Sequence, residues 1–370
     1  MAGRRKIYRF ARSRASRVKW LALGIGAELF GIMLVMIQIV SHAPEENTTF
    51  AEANKNSGDY IHYVEFNPTY EALCRAYELD VKSHEKQDTK AAEKSDDTEK
   101  TVSWIDLLAY AAAKNGGEFG KNALSCVDEA AESLESGTSL EELTRGMEYF
   151  NYYEKAYTAV LGGMVGTFQE ETEDGSMKEQ YGLMAYSPIA EGFDYSSGDD
   201  FGSARSYGYN RPHLGHDMMG LIGTPIIAVE SGYVEALGWN QYGGWRIGIR
   251  SFDRQRYYYY AHLRQDRPYA EGLKEGDIVT AGDVIGYMGH TGYSKKENVN
   301  NIEVVHLHFG MELVFDESQK ESDNEIWINC YPLTEFLKKH RSAVTRDEKT
   351  KEWSRTMKIC IPEVEKQKAQ

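Results

Sequence analysis

Four histidines and one aspartate in the second half of the chain could share a single piece of chemistry: His213, Asp217, His262, His306 and His308. His306 and His308 flank Leu307 in a β-rich run from Val304 to Val314. Alternation along a strand sends both imidazoles to one face and Leu307 to the other. Such a strand presents two nitrogen ligands, or a ligand and a base, to one cavity. The run His213-Leu-Gly-His-Asp217 places an imidazole and a carboxylate close together on a glycine-containing turn. Two histidines and one aspartate match the donors of catalytic zinc, which keeps a fourth position open to water. Each part also has a blander reading. An isolated His-x-His is more often two ordinary histidines, because its spacing permits a shared ligand without requiring one. His216 and His290 read as loop or supporting residues. The Tyr257 to Tyr260 run reads as strand packing, with alternate rings on opposite faces, so at most one of Tyr259 and Tyr260 can face a cleft.

The elements that must position these residues are short strands punctuated by glycine. They are expected at Ile226 to Val229, Tyr233 to Leu237, Arg246 to Arg250, Tyr257 to Ala261, Val284 to Met288 and Val304 to Val314. Turn signals at this spacing suit an antiparallel all-β sandwich or barrel, over about residues 185–316. Upstream, residues 59–165 read as a small helical domain. Helices are expected from Asp59 to Val81, Ser103 to Asn115, Lys121 to Leu134, Thr138 or Ser139 to Phe150, and Tyr152 to Leu161. Ser103 with Asp106, and Thr138 or Ser139 with Glu141 and Glu142, have capping-box spacing. Residues 83–100 are almost wholly polar, without an apolar face, and read as a flexible linker. Residues 317–370 form a C-terminal extension with a helix from Leu333 to His340. The fold class is therefore α+β and multidomain. The four cysteines show no CxxC spacing, so a cysteine zinc site is not expected and free thiols suit them as well as disulfides do.

The 370 residues carry a net charge of −15, unevenly spread. Residues 1–19 hold eight basic side chains and no acid, leaving 34 basic against 57 acidic ones for the rest, a net of −23. So acidic a body excludes nucleic acid as the expected partner. An apolar run over residues 20–40 has the length of a transmembrane helix. The basic tail before it and the acids Glu45 and Glu46 after it place the body outside the cytoplasm. Glu28, near mid-span, is tolerated or pairs with another helix. A cleaved signal peptide is the rival, with small residues at Ser41 and Ala43, but Pro44 is a poor context for cleavage and the run is long for a signal core. Residues 41–58 then form a stalk.

In order and spacing, HLGHD at 213–217, GTPIIAVESGYV at 223–234, YYAHL at 259–263, EGDIVTAGDVIGYMGHTG at 275–292 and HLHF at 306–309 resemble the lysostaphin-type endopeptidases, peptidase family M23. The resemblance covers roughly residues 205–315. It implies a lysostaphin-like β fold in which His213, Asp217 and His308 bind zinc and His262 and His306 are catalytic. It further implies hydrolysis of peptide bonds in cell-wall peptidoglycan. Two departures bear on substrate choice: Tyr293 to Val305 is a long link, so a loop should lie beside the cleft, and Gly310 stands where an acid is common. The helical segment resembles a region preceding this domain in clostridial-type relatives, and it offers a surface for protein partners.

Three other readings compete. A catalytically silent M23-fold scaffold or wall-binding protein, of the kind found in division or sporulation assemblies, typically lacks one or more ligands, whereas all five positions are present here. A lipoyl-type carrier is suggested by EGDIVTAGDVIG, but no lysine stands at a hairpin tip. A second lytic activity would need Glu118 as an acid in an apolar pocket, yet its two preceding glycines mark an exposed loop. A segment upstream of His213, such as Tyr207 to Asn210, is also placed to cap the metal.

Overall fold

The computed structural model describes residues 60–92, 101–207 and 209–369, together with Asn54. Residues 50–370 belong to one compact unit. The basic tail, the apolar run at 20–40 and nearly all of the stalk lie outside the described residues. Among the described residues no helix is long and apolar enough to cross a membrane.

The first helix, α1 (Tyr70–Ala92), starts later and ends later than its sequence pattern predicts. Pro68 explains the late start, because a residue before proline is pushed towards extended backbone. The late end carries the helix through the first half of the expected linker, and its cause is tertiary. Asp80 and Ser83 are buried. Ser83 Oγ accepts from the Val102 amide at 3.0 Å and Asp80 Oδ2 accepts from the Trp104 amide at 2.8 Å. These bonds hold the entry to α2 (Trp104–Lys114), whose own Ser103 makes no side-chain cap. The expected Ser103–Asp106 capping box is thus replaced by an acid from the neighbouring helix. Next come α3 (Ala123–Glu135), a single turn α4 (Leu140–Leu143) in place of the longer helix expected there, and α5 (Phe150–Leu161). Ser139 does cap α4, accepting from the Glu142 amide at 3.1 Å.

A hairpin of β1 (Val165–Glu171) and β2 (Met177–Leu183) follows, then a second of β3 (Ala204–Tyr207) and β4 (Tyr209–Pro212). The remaining strands are β5 (His216–Met219), β6 (Pro225–Ile227), β7 (Gly232–Asn240), β8 (Gly244–Ser251), β9 (Arg256–Ala261), β10 (Ile278–Val279), β11 (Val284–Tyr287), β12 (His306–Leu313) and β13 (Ile326–Trp327). Helix α6 (Tyr331–Leu337), β14 (Val344–Arg346), β15 (Trp353–Arg355), β16 (Ile359–Cys360) and α7 (Pro362–Lys368) complete the chain. Seven strands form an antiparallel sheet in the order β10-β7-β8-β9-β12-β13, with β5 also paired to β12. Strand β16 returns to pair with β1. All four cysteines are free thiols.

One face of the sheet is core: Ile247, Ile249, Tyr258, Tyr260, Leu307, Phe309 and Met311 are fully buried. The same core runs on through Leu107, Leu108, Tyr157 and Leu333 of the helices. Phe336 packs against Tyr77 and Trp104 with ring centroids 5.5 and 5.8 Å apart. Arg256 of β9 donates to the Ala159 carbonyl at 2.9 Å, at the C-terminal end of α5, where unpaired carbonyls favour a cation. The change of texture near residues 165–185 therefore separates two layers of one body.

Candidate metal centre and catalytic cleft

The opposite face of the sheet carries the chemistry. Residues His308 and Asp217 are directly opposite each other in the β12–β5 ladder, so their side chains leave the sheet on the same face. Two residues back along β12, His306 shares that face, while Leu307 is buried in the core. His213 precedes β5, and the intervening chain passes so close to β12 that a Cβ on Gly215 would lie 2.6 Å from the His308 ring. Only glycine lets the His213–Asp217 turn approach this far.

His213, Asp217 and His308 are a group that could hold a metal ion. The atoms His213 Nε2, His308 Nδ1 and Asp217 Oδ1 form a triangle with sides of 2.8, 3.0 and 3.1 Å. Tetrahedral zinc with nitrogen and oxygen ligands has edges of about 3.3 Å. The protons point the same way. His213 Nδ1 lies 3.1 Å from the Asp200 carbonyl, which can only accept, so a neutral His213 ring carries its hydrogen there. Its Nε2 then aims a lone pair at a carboxylate oxygen. Only a cation between them makes that arrangement favourable, and two imidazoles with one carboxylate suit Zn2+. When no ion is bound, a proton on the facing ring nitrogens has to take its part: burial would raise the Asp217 carboxyl, but hydrogen bonds from protonated His213 and from His308 override it and hold the group far below the carboxylate range. Burial, and then the neighbouring histidines, push His308 down despite Asp217.

His262 and His306 stand beside this triangle. Their ring centroids are 4.7 Å apart, and His306 Nε2 is 3.7 Å from Asp217 Oδ1. His262 Nδ1 lies 2.9 Å from the Thr291 carbonyl, and His306 Nδ1 lies 2.8 Å from the Val304 carbonyl. Each neutral ring therefore donates from Nδ1 and keeps an Nε2 lone pair. His262 follows β9 in the left-handed region, at φ 62, a costly conformation that a non-glycine residue keeps only where the surroundings impose it. Burial first, then His306 and His308, push its pKa well below the ordinary value, so the ring is neutral.

All five expected site residues line one pocket of about 120 Å3. Tyr259 lines it too, while Tyr260 points into the core, where its hydroxyl accepts from the Val229 amide at 3.0 Å. Burial, opposed by Arg246 and Arg211, pushes the Tyr259 phenol up to about 12. His216 is buried against Tyr331, and His290 bonds to the Ile302 carbonyl, so both support the loops around the site. Tyr293, at the start of the long link, lines the cleft as expected. Glu118 is exposed, which leaves it without the apolar pocket a catalytic acid needs. A larger groove of about 820 Å3, with Leu273, Trp353 and Arg355 in its wall, shares no lining residue with the histidines.

Sequence reasoning missed Asp200, Arg205 and Arg211. Asp200 meets His213 Nδ1 with a carboxylate oxygen at 3.1 Å, and Arg205 donates to both Asp200 (2.8 Å) and Asp217 (3.0 Å). Carboxylates that orient a ligating imidazole in this way set its tautomer and direction. Arg205 and Arg211 stand opposite each other in the β3–β4 hairpin, at the base of the segment expected to cap the metal. Period-two spacing from His213 was the only sign of Arg211.

Residues 211–322 match Peptidase family M23. The L-Ala--D-Glu endopeptidase of Bacillus subtilis is 35% identical over 182 residues, 48% of this chain and 51% of that protein. The lysostaphin of Staphylococcus simulans is 39% identical over 98 residues, 26% of this chain and 17% of that one. The chain thus spans about half the length of the first relative and far less of the second. Among solved structures, a lytM-type glycyl-glycine endopeptidase from Ruminococcus gnavus superposes with a TM-score of 0.51 at 24% identity, over 80% of this chain and 98% of that one, a likeness of fold that extends beyond the family match. With the donor triangle at its centre, this chain carries a domain of peptidase family M23.

Proposed function

We propose that the protein is a zinc metalloendopeptidase that hydrolyses peptide bonds of cell-wall peptidoglycan. The observation that carries this reading is the convergence of three metal donors and two Nε2 lone pairs on one small pocket. His213, Asp217 and His308 would hold the ion. Bound zinc supplies a Lewis acid that polarises the scissile carbonyl and acidifies the attacking water. His306 Nε2 and His262 Nε2 are the free bases of the pocket; one takes the water's proton, and the resulting imidazolium can steady the oxyanion or return the proton to the leaving amine. The carbonyls of Val304 and Thr291 hold the two rings in the tautomer this needs. The peptidoglycan substrate rests on the names of the endopeptidases that the domain resembles.

The apolar run at 20–40 and its flanking charges support an uncleaved anchor with the catalytic domain outside the cytoplasm. The helical layer offers a surface for protein partners.

The test is incubation of the zinc-loaded chain with peptidoglycan, counting newly released amino groups against His306→Ala. Release by the wild type alone supports the peptidase, and its products identify the bond. No release from either, with zinc bound, would favour a silent scaffold. Failure to bind zinc would overturn the metal centre itself.

A further inference from the structure

Most arginines that contact the main sheet are matched: Arg250 pairs with Glu235, Arg256 with Glu230 and Arg205 with Asp200 and Asp217. Two arginines break the pattern, Arg246 of β8 and Arg211, each with a buried Nε that has no hydrogen-bond partner, and the one at the catalytic pocket is Arg211. Among the described residues no carboxylate lies within ion-pair distance of it. Its guanidinium lies over the rings of Tyr242 (5.2 Å) and Tyr293 (5.9 Å), and Nη2 donates to the Tyr293 hydroxyl at 3.4 Å. Tyrosine faces hold a guanidinium in place without neutralising it. Arg211 also stands directly across the hairpin from Arg205, a like-charge pairing that costs stability. Arg205 is neutralised by its two acids, so among the described residues that line the pocket the positive charge left over is that of Arg211. In a chain of net charge −15, an unpaired, pre-oriented guanidinium beside the reacting groups is a binding site for an anion. A planar fork of N–H donors fits a carboxylate.

We infer that Arg211 reads a free carboxylate on the substrate peptide, close to the bond that is cut. This rests on the peptidase reading above, and it makes the preferred substrate an acidic peptide. Two probes differ only at that group: an L-Ala–D-Glu–L-Lys peptide joined through the glutamyl side-chain carboxyl, with its remaining glutamyl carboxyl free or as a primary amide. Cleavage is followed with the zinc-loaded full chain, and binding by calorimetry in the His306→Ala background. The carboxylate peptide should be bound and cut about 10- to 100-fold better than the amide. Arg211→Gln should bring that ratio to within about threefold, and Arg211→Lys should keep part of it. A wild-type ratio near one, or a ratio that Arg211→Gln leaves intact, overturns the inference. If neither peptide is cut but Arg211→Gln abolishes a binding preference for the carboxylate, the inference stands, and release of amino groups from peptidoglycan decides the peptidase reading separately. Should Arg211→Gln fail to fold, the wild-type ratio and the Arg211→Lys variant decide.

Discussion

Strand β9 and the residue after it touch two buried polar clusters that look alike in composition and differ in what they leave undone. At one end, Arg256 spends all five of its N–H groups: two on Glu230 (2.8 and 3.0 Å), one on Asp253 (2.9 Å) and two on the carbonyls of Thr158 and Ala159 (3.4 and 2.9 Å). Tyr258 completes Glu230 with a 2.6 Å hydrogen bond. Gly163, at φ +77, leaves the room this needs, since a Cβ there would lie 2.5 Å from the Glu230 carboxylate. At the other end, His213, Asp217, His262, His306 and His308 point lone pairs at common space. Charge that closes on itself fastens a helix layer to a sheet. Donors aimed together without the hydrogens to satisfy them await a cation and a substrate.

The sharpest break of this comparison is His306→Ala. Losing a base should lower kcat/KM by about 10^2- to 10^4-fold while zinc content and melting temperature stay near wild type. His308→Ala should abolish turnover as well, but by losing the metal, which elemental analysis distinguishes. Glu230→Gln should do the reverse. It strands a buried guanidinium beside α5, and breaking such a pair costs about 3–5 kcal/mol of stability. Urea unfolding reads that loss, while zinc affinity below the transition should be unchanged. If Glu230→Gln weakens zinc binding as much as it weakens the fold, the two clusters are not independent. A smaller effect is expected for Asp200→Asn, which leaves the three donors in place and removes the carboxylate behind His213. Zinc affinity should fall about 10- to 100-fold in chelator competition. An unchanged affinity would mean that the Asp200 carbonyl alone holds the ring.

Legibility in the sequence follows the same division. Four of the five expected site residues were readable as local patterns, because strand alternation puts His306 and His308 on one face and a four-residue turn ties His213 to Asp217. His262 was picked out by the resemblance of YYAHL to the family, not by a pattern of its own. Asp200, hidden in the acid-rich DYSSGDD stretch at 194–200, was not readable, because its role depends on which ring a loop reaches. Strands β7, β8, β9 and β12 of the main sheet were legible to within a few residues from β-formers between glycines, whereas β5, β10 and β13 of the same sheet, and β1, β2 and their distant partner β16, were not foreseen. The second half of α1 was lost for a related reason. Its fastening comes from Asp80 and Ser83, polar residues that hold backbone amides across a gap in sequence, and no apolar stripe reports such bonds.

Glu312 lies between the two extremes and allows the finest test. It leaves β12 opposite Tyr257, four residues beyond His308, and is 3% exposed. Its Oε1 has no hydrogen-bond partner. Burial, with Glu325 adding to it and Arg250 and Lys320 opposing, pushes the carboxyl up to about 7. Arg250 is already committed to Glu235, at 2.7 Å, so it does not rescue the charge. A carboxyl raised in the folded state costs nothing below its unfolded value, near 4.3, where both states hold the proton. Between there and about pH 7 the folded state keeps a proton the unfolded state has lost, so stability falls as pH rises across that window and stays reduced above it. Glu312→Gln removes the ionisation and keeps the shape. The variant should match the wild type at pH 4.5 and exceed it by about 1–3 kcal/mol at pH 8, read as the difference between the two urea curves at each pH. A difference independent of pH would mean that Glu312 ionises freely in the fold, and that a buried acid facing neighbouring cations here behaves like the closed Glu230 pair.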